Sequence, residues 1–189
     1  MKRRIKRVAG LAMIEFTLTV AMFVATMSVA ADLYMINRTR GEYDRISHTL
    51  ASVLSVQSYL SSEDIDQLLS AAIPSKEIGD YELHIYKVNL DRSMDWKPLQ
   101  RGELSGICPT LNSGDVFSSD LPEEDSDNSD DAIMVVQLCG ESGGLTPFAS
   151  LIDNKVMAVT AYNRTQYNDI DVDKTLAAEL GVDEEDDDE

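Results

Sequence analysis

The stretch LAMIEFTLTVAMFVATMSVAA, residues 11–31, decides the fold. It is apolar or weakly polar throughout except for one acid, Glu15. As a helix rising 1.5 Å per residue it would reach about 30 Å, the thickness of a bilayer's hydrocarbon core. Lys2, Arg3, Arg4, Lys6 and Arg7 precede it, whereas Arg38, Arg40 and Arg45 follow it interleaved with Asp32, Glu42 and Asp44. Such asymmetry places the N-terminus in the cytoplasm and everything after Asp32 outside. A secretory signal peptide shares the basic start, the apolar core and a small-residue end, here Val29-Ala30-Ala31. Its apolar core usually runs only about 7–15 residues, and it does not carry an acid near its entrance.

A carboxylate one helical turn inside an apolar run costs a few kcal/mol near mid-bilayer and less near the interface. Glu15 therefore needs either a shallow position, where it bends toward headgroups or stays protonated, or a partner. Gly10 stands five residues before it, directly behind the basic cluster. A peptide bond cut between Gly10 and Leu11 would create a cation at Leu11, one turn from the carboxylate.

Beyond the membrane segment the chain is strongly acidic. Its 34 Asp+Glu against 16 Lys+Arg give a net charge of −18, which argues against binding nucleic acid, since phosphate recognition needs a basic face. At 189 residues there is room for an anchor and one modest domain. Cys108 and Cys139 both lie past the apolar run, and an even count in an exported region reads as one disulfide, the alternative being two separate buried thiols.

A helical period continues after Asp32 through Leu33, Ile36, Tyr43, Ile46, Leu50, Val53, Leu54 and Leu60, predicting a helix extension over residues 32–60, with Gly41 as a bend. Ser61-Ser62-Glu63-Asp64 is a start signal for a short helix through Ala72, closed by Pro74. Residues 81–90 (YELHIYKVNL), 133–139 (IMVVQLC) and 156–162 (VMAVTAY) read as strands. Helix first and strands afterwards imply an α+β fold, an antiparallel sheet packed on the long helix, over residues 61–170. A loop-rich excursion holding Trp96, Cys108 and an acidic loop at 120–131 separates the first two strands, and residues 171–189 read as an acidic, disordered tail.

Catalytic and metal motifs fare poorly. Asp125-Ser126-Asp127-Asn128-Ser129-Asp130 lacks the glycine and the closing glutamate of an EF-hand loop. Gly140-Glu141-Ser142-Gly143-Gly144 matches G-x-S-x-G after a strand, but Pro147 breaks the helix a nucleophile elbow needs, and both histidines, His48 and His84, precede the serine. It reads as a glycine-rich turn. Catalytic residues, cofactors and metals are therefore expected to be none, and the protein is not expected to be an enzyme.

Gly10, the following cut site and Glu15 as the fifth residue beyond it resemble the type IV prepilin signature. Within that class the chain resembles the TadE/TadF group, the minor pseudopilins of the tight-adherence (Flp) pilus, and is closer to TadF. Ile14-Glu15-Phe16 carries the resemblance, together with residues 45–54 (RISHTLASVL), Trp96 followed by Arg101-Gly102, Cys108-Pro109, and residues 135–139 (VVQLC). Flp major pilins are very short and place Tyr after the Glu, where this chain has Phe16. TadE-type anchors contain proline, which residues 11–31 lack. The resemblance implies residues 1–10 as a leader removed by a prepilin peptidase at Gly10–Leu11. It also implies a pilin-like layout in the inner membrane and Glu15 with Phe16 setting register against other pilin and pseudopilin subunits on an inner-membrane assembly platform. Surface adhesion and biofilm formation would follow. A type II secretion-like pseudopilin shares this cleavage logic, and a periplasmic binding protein released by signal peptidase would instead begin near Asp32.

Overall fold

The computed structural model describes residues 2–73, 79–121, 132–141 and 156–182, with side chains from residue 12 onward. Its dominant element is α1, Lys2–Leu54, a single helix of 53 residues, about 80 Å long at 1.5 Å per residue. It passes through Gly41 without a break, so the expected bend there is not needed to bring the outer half onto the domain.

Two halves of α1 differ in what surrounds them. From Ala12 to Ala31 the large apolar side chains are exposed, Met13, Ile14, Phe16, Leu18 and Phe23 each by more than half. From Asp32 on, a stripe of Asp32, Tyr43, Ile46, Leu50 and Leu54 is buried, at the three- and four-residue steps that keep side chains on one face. Leu33, expected on that stripe, is 58% exposed, because the buried face passes through its neighbour Asp32.

Helix α1 ends at Leu54 rather than continuing to residue 60. Ser55, Val56, Ser58 and Tyr59 are indifferent helix formers, and Ser61 must be extended (φ −112°, ψ 155°) to cap the next helix. Leu60 is buried as expected, but in a strand, β1 (Tyr59–Leu60), not on a helix. Helix α2 (Ser62–Ala72) starts where the sequence signals it: the Ser61 hydroxyl accepts the Asp64 N–H at 3.1 Å. Its Ile65 and Leu69 reach the core.

The main sheet comprises β2 (Tyr81–Asn89), β3 (Leu99–Gly102), β6 (Ala132–Glu141) and β7 (Val156–Arg164), all antiparallel in the order β3-β2-β6-β7. A hairpin of β4 (Asn112–Ser113) and β5 (Val116–Phe117) lies in the excursion. Both faces of the sheet are covered. One carries Leu83, Ile85, Val136, Leu138, Val159 and Ala161 against α1, α2 and Trp96; the other carries Tyr86, Val88, Ile133 and Val135 against Met94 and Phe117 of the excursion. Coverage on both sides is why β6 reads as a continuous apolar run instead of an alternating one.

Residues 171–182 are folded, which corrects the assignment of everything from 171 onward to a disordered tail. Strand β8 (Asp171–Val172) pairs in parallel with β1, and α3 (Lys174–Leu180) follows at once. Asp173 caps α3 by accepting the Leu176 N–H at 2.9 Å and also accepts the first N–H of α2, from Ser62, at 3.3 Å. Gly181, at φ 69°, closes the helix in the left-handed conformation. Leu176, Ala177 and Leu180 form a buried stripe that the surrounding charge obscures in the sequence. Residues 122–131 of the acidic loop, the turn residues Ser142, Gly143 and Gly144, and residues 183–189 lie outside the described residues.

Candidate functional site

The exposed half of α1 is the most unusual surface of the molecule. A soluble protein scatters its exposed apolar side chains; here they surround one helix on every side over residues 12–27. The helix is long and apolar enough to cross a membrane. Its few polar side chains are arranged as a lipid environment demands. Thr17 Oγ1 donates to the Ile14 carbonyl (2.9 Å), Thr19 Oγ1 to Glu15 (2.7 Å), Thr26 Oγ1 to Phe23 (2.9 Å) and Ser28 Oγ to Val24 (2.9 Å). Each of these hydroxyls is thus satisfied within its own helix, needing neither water nor a neighbour.

Glu15 is the one exposed acid in this apolar segment. Phe16 beside it is 69% exposed. Gly10 and Leu11 lie on the same unbroken helix, one turn before Glu15, so helix geometry alone fixes the separation between a chain end created there and the carboxylate.

Where α1 meets the domain, Asp32 is 2% exposed and its Oδ1 lacks a hydrogen-bond partner among the described residues. Leaving a buried polar atom unpaired costs about 1–3 kcal/mol. Sequence reasoning treated Asp32 only as a flanking charge. Its spacing of eleven residues from Tyr43, three helical turns, is the signal that it shares the buried face.

Cys108 and Cys139 form a disulfide, with Cα atoms 5.5 Å apart, tying the excursion to β6. Beside it lies a carboxylate that sequence reasoning did not single out. Glu82 is 1% exposed and faces Cys139 across the β2–β6 ladder. Its oxygens accept the N–H groups of Gly106 (2.8 Å), Ile107 (2.6 Å) and Cys108 (2.8 Å), the Gln100 amide (2.8 Å), and a contact at 3.0 Å from His84 Nε2. Burial works to raise its pKa, but the three backbone N–H bonds and the electrostatic interaction with His84 outweigh it and hold the carboxyl below its ordinary value. An acid sandwiched between strand-forming residues at an inward position was the available signal.

The network continues inward. His84 Nδ1 lies 3.1 Å from the Tyr86 hydroxyl, which donates to Gln137 Oε1 at 3.3 Å, while Gln137 Nε2 donates to the Pro109 carbonyl at 3.1 Å. Burial pushes the Tyr86 phenol up to about 12, so it remains a donor at any ordinary pH. Cys108-Pro109 is therefore held by the disulfide, by Glu82 and by Gln137 together.

Other residues singled out from sequence have packing roles. Arg101 joins α2 to α3 through Asp66 (3.2 Å) and Glu179 (2.8 Å). Gly102 sits at φ 109° where a Cβ would collide with the Tyr81 carbonyl oxygen, and at Gly140 a Cβ would collide with the Tyr43 hydroxyl. Gly140 thus has a reason to be glycine that owes nothing to a nucleophile elbow. His48 lies on the exposed side of α1 near Asp44, whereas His84 is on β2. Among the described residues no group of three His, Cys, Asp or Glu side chains is placed to hold a metal ion.

No family model matches the chain, and no curated protein or solved structure does either.

Proposed function

We propose that the chain is a minor pseudopilin of the tight-adherence type, a non-catalytic subunit that takes part in assembling an adhesive pilus. One observation carries this reading. A single helix presents a naked apolar half with one carboxylate, Glu15, five residues beyond Gly10, while its other half forms the core of a disulfide-tied domain. A helix of that kind is both anchor and domain scaffold, so movement of one moves the other.

In this reading the basic residues before Gly10 stay in the cytoplasm and the domain lies outside the inner membrane. A prepilin peptidase cuts between Gly10 and Leu11. The new Leu11 ammonium of one subunit meets Glu15 of its neighbour inside the apolar layer, where low dielectric strengthens their attraction and an unmatched charge is costly. Pairing therefore fixes the axial register of stacked helices, with Phe16 packing beside it. The assembly platform of the inner membrane and the other pilin subunits are the partners this arrangement requires.

Glu15→Ala tests the reading. Membrane insertion should persist, since removing a charge from an apolar helix only favours it. Piliation of the cells should fall, and Glu15→Asp should restore it in part. Normal piliation with Glu15→Ala would contradict the docking role.

A further inference from the structure

Beyond Ala31 the exposed apolar surface of α1 does not stop at once. Leu33 and Tyr34 are more than half exposed and Met35 more than a third, and the next cations along the helix, Arg38 and Arg40, are exposed as well. Residues 33–41 hold these two arginines and no acid, in a chain of net charge −18. Among the described residues neither arginine has an ion pair or a hydrogen bond. The acids that follow are engaged further up the helix, Glu42 with Arg45 at 2.8 Å and Asp44 beside His48 at 3.7 Å.

Helix geometry sets the height and direction of both cations. Asp32, Ile36, Thr39 and Tyr43 share the buried or half-buried face of α1, and Tyr34, Asn37 and Gly41 the opposite, exposed one. Arg38 and Arg40 flank that exposed face, about 160° apart around the axis at 3.6 residues per turn. With the hydrocarbon layer ending near Ala31, the Cα of Arg38 stands about 10 Å above it and that of Arg40 about 13 Å. A helical side chain leans toward the helix N-terminus and covers the turn below its own Cα, here the turn nearer the membrane. Leaning one turn, about 5 Å, brings the Arg38 guanidinium into a headgroup layer about 5–8 Å thick and the Arg40 guanidinium to its outer margin.

Phosphate is the group that suits this height and charge. A guanidinium matches phosphate geometry through paired N–H donors, while the acidic remainder of the chain repels an anionic surface. Tyr34, one turn below Arg38, belongs to the same depth, since an amphipathic aromatic ring settles at the membrane–water boundary.

We propose that residues 33–40 of α1 form a collar at the membrane surface: Arg38 and Arg40 bind phospholipid phosphates of the leaflet facing the domain, and Leu33, Tyr34 and Met35 lie at the edge of its hydrocarbon. The collar presupposes that α1 crosses the bilayer, and it fixes how deep the helix sits before any partner subunit is met.

The test uses the full chain, isotope-labelled at the arginine side-chain nitrogens, in phosphatidylglycerol bilayers and phosphate-free buffer. Dephasing of the guanidinium signal by lipid phosphorus in solid-state NMR should fall in Arg38→Gln and Arg40→Gln, with the larger loss at Arg38. Arg3, Arg4 and Arg7 supply the same background in every sample. Dephasing unchanged when both substitutions are combined would overturn the collar, as would its loss in neither single variant. Nitroxides on Leu18→Cys, Tyr34→Cys and Gly41→Cys, with the native disulfide kept oxidised, judge it with both arginines in place. Relaxation by oxygen and by a water-soluble nickel chelate should put position 18 in hydrocarbon, 34 in the headgroup layer and 41 in water. Position 34 in water with 18 in hydrocarbon would overturn the collar and spare the anchor; position 18 in water would overturn both.

Discussion

Glu82 is a charged side chain spent entirely on structure. Because its pKa is lower in the folded chain than its ordinary value of 4.5, the stability it contributes is fully present above that value and is lost as pH falls through the folded pKa. Denaturant midpoints should therefore be flat near neutrality and drop below about pH 4.5. Glu82→Gln should destabilise at pH 7 by about 1–3 kcal/mol, since the amide can place only one acceptor against the three converging N–H groups, and should lose part of the acid-induced drop. An unchanged midpoint at pH 7 would show that water replaces the carboxylate without cost. Gly140→Ala should be similarly damaging, because the added methyl group must displace the buried Tyr43 ring from β6. Tyr43→Phe in the same background should recover part of the loss in thermal unfolding, as it deletes the nearest atom.

At the level of elements, Arg101 is the clamp that holds α3 to α2. Arg101→Ala should cost only on the order of 1 kcal/mol in global stability, because its acidic partners are largely exposed. Its visible effect should be local: faster amide exchange in Lys174–Leu180 than in β6, and no difference between the two would remove the clamp. What could be read from sequence follows from how each element is stabilised. Helix α2 was legible to the residue because its cap is local chemistry, and β2, β6 and β7 because each is long enough for β-branched and apolar residues to dominate. Strands β1 and β8 are two residues each and exist only through one another across more than a hundred residues of chain, so no local pattern announces them. Helix α3 was hidden because a seven-residue stripe sits amid acids whose charge suggested disorder. For the candidate site, Gly10 and Glu15 were visible as a spacing. The burial of Asp32 and Glu82 was not, since an acid's sequence neighbours say little about what folds over it.

Across the whole molecule, one helix makes an exposed apolar segment and a folded domain mechanically continuous. The domain has no separate stalk: Tyr43, Ile46, Leu50 and Leu54 of α1 are the inner wall of its core. Truncating Leu50 to Ala should cost about 2–5 kcal/mol and loosen the domain from the helix that carries its apolar half. The disulfide ties the far side of the sheet, and replacing Cys108 and Cys139 by serine should lower stability by about 3–4 kcal/mol in the chain-entropy picture, read as a shift in denaturant midpoint. Both losses fall on the disulfide-tied domain and should leave membrane association through the apolar half of α1 intact, which membrane fractionation of the variants would check.

The most direct measurement is the N-terminal residue of the protein recovered from its native membranes, by sequencing or by intact mass. The account predicts a chain beginning at Leu11, with a methylated amine one helical turn before Glu15. A chain still beginning at Met1, or one beginning at Asp32 after loss of the whole apolar segment, would contradict it.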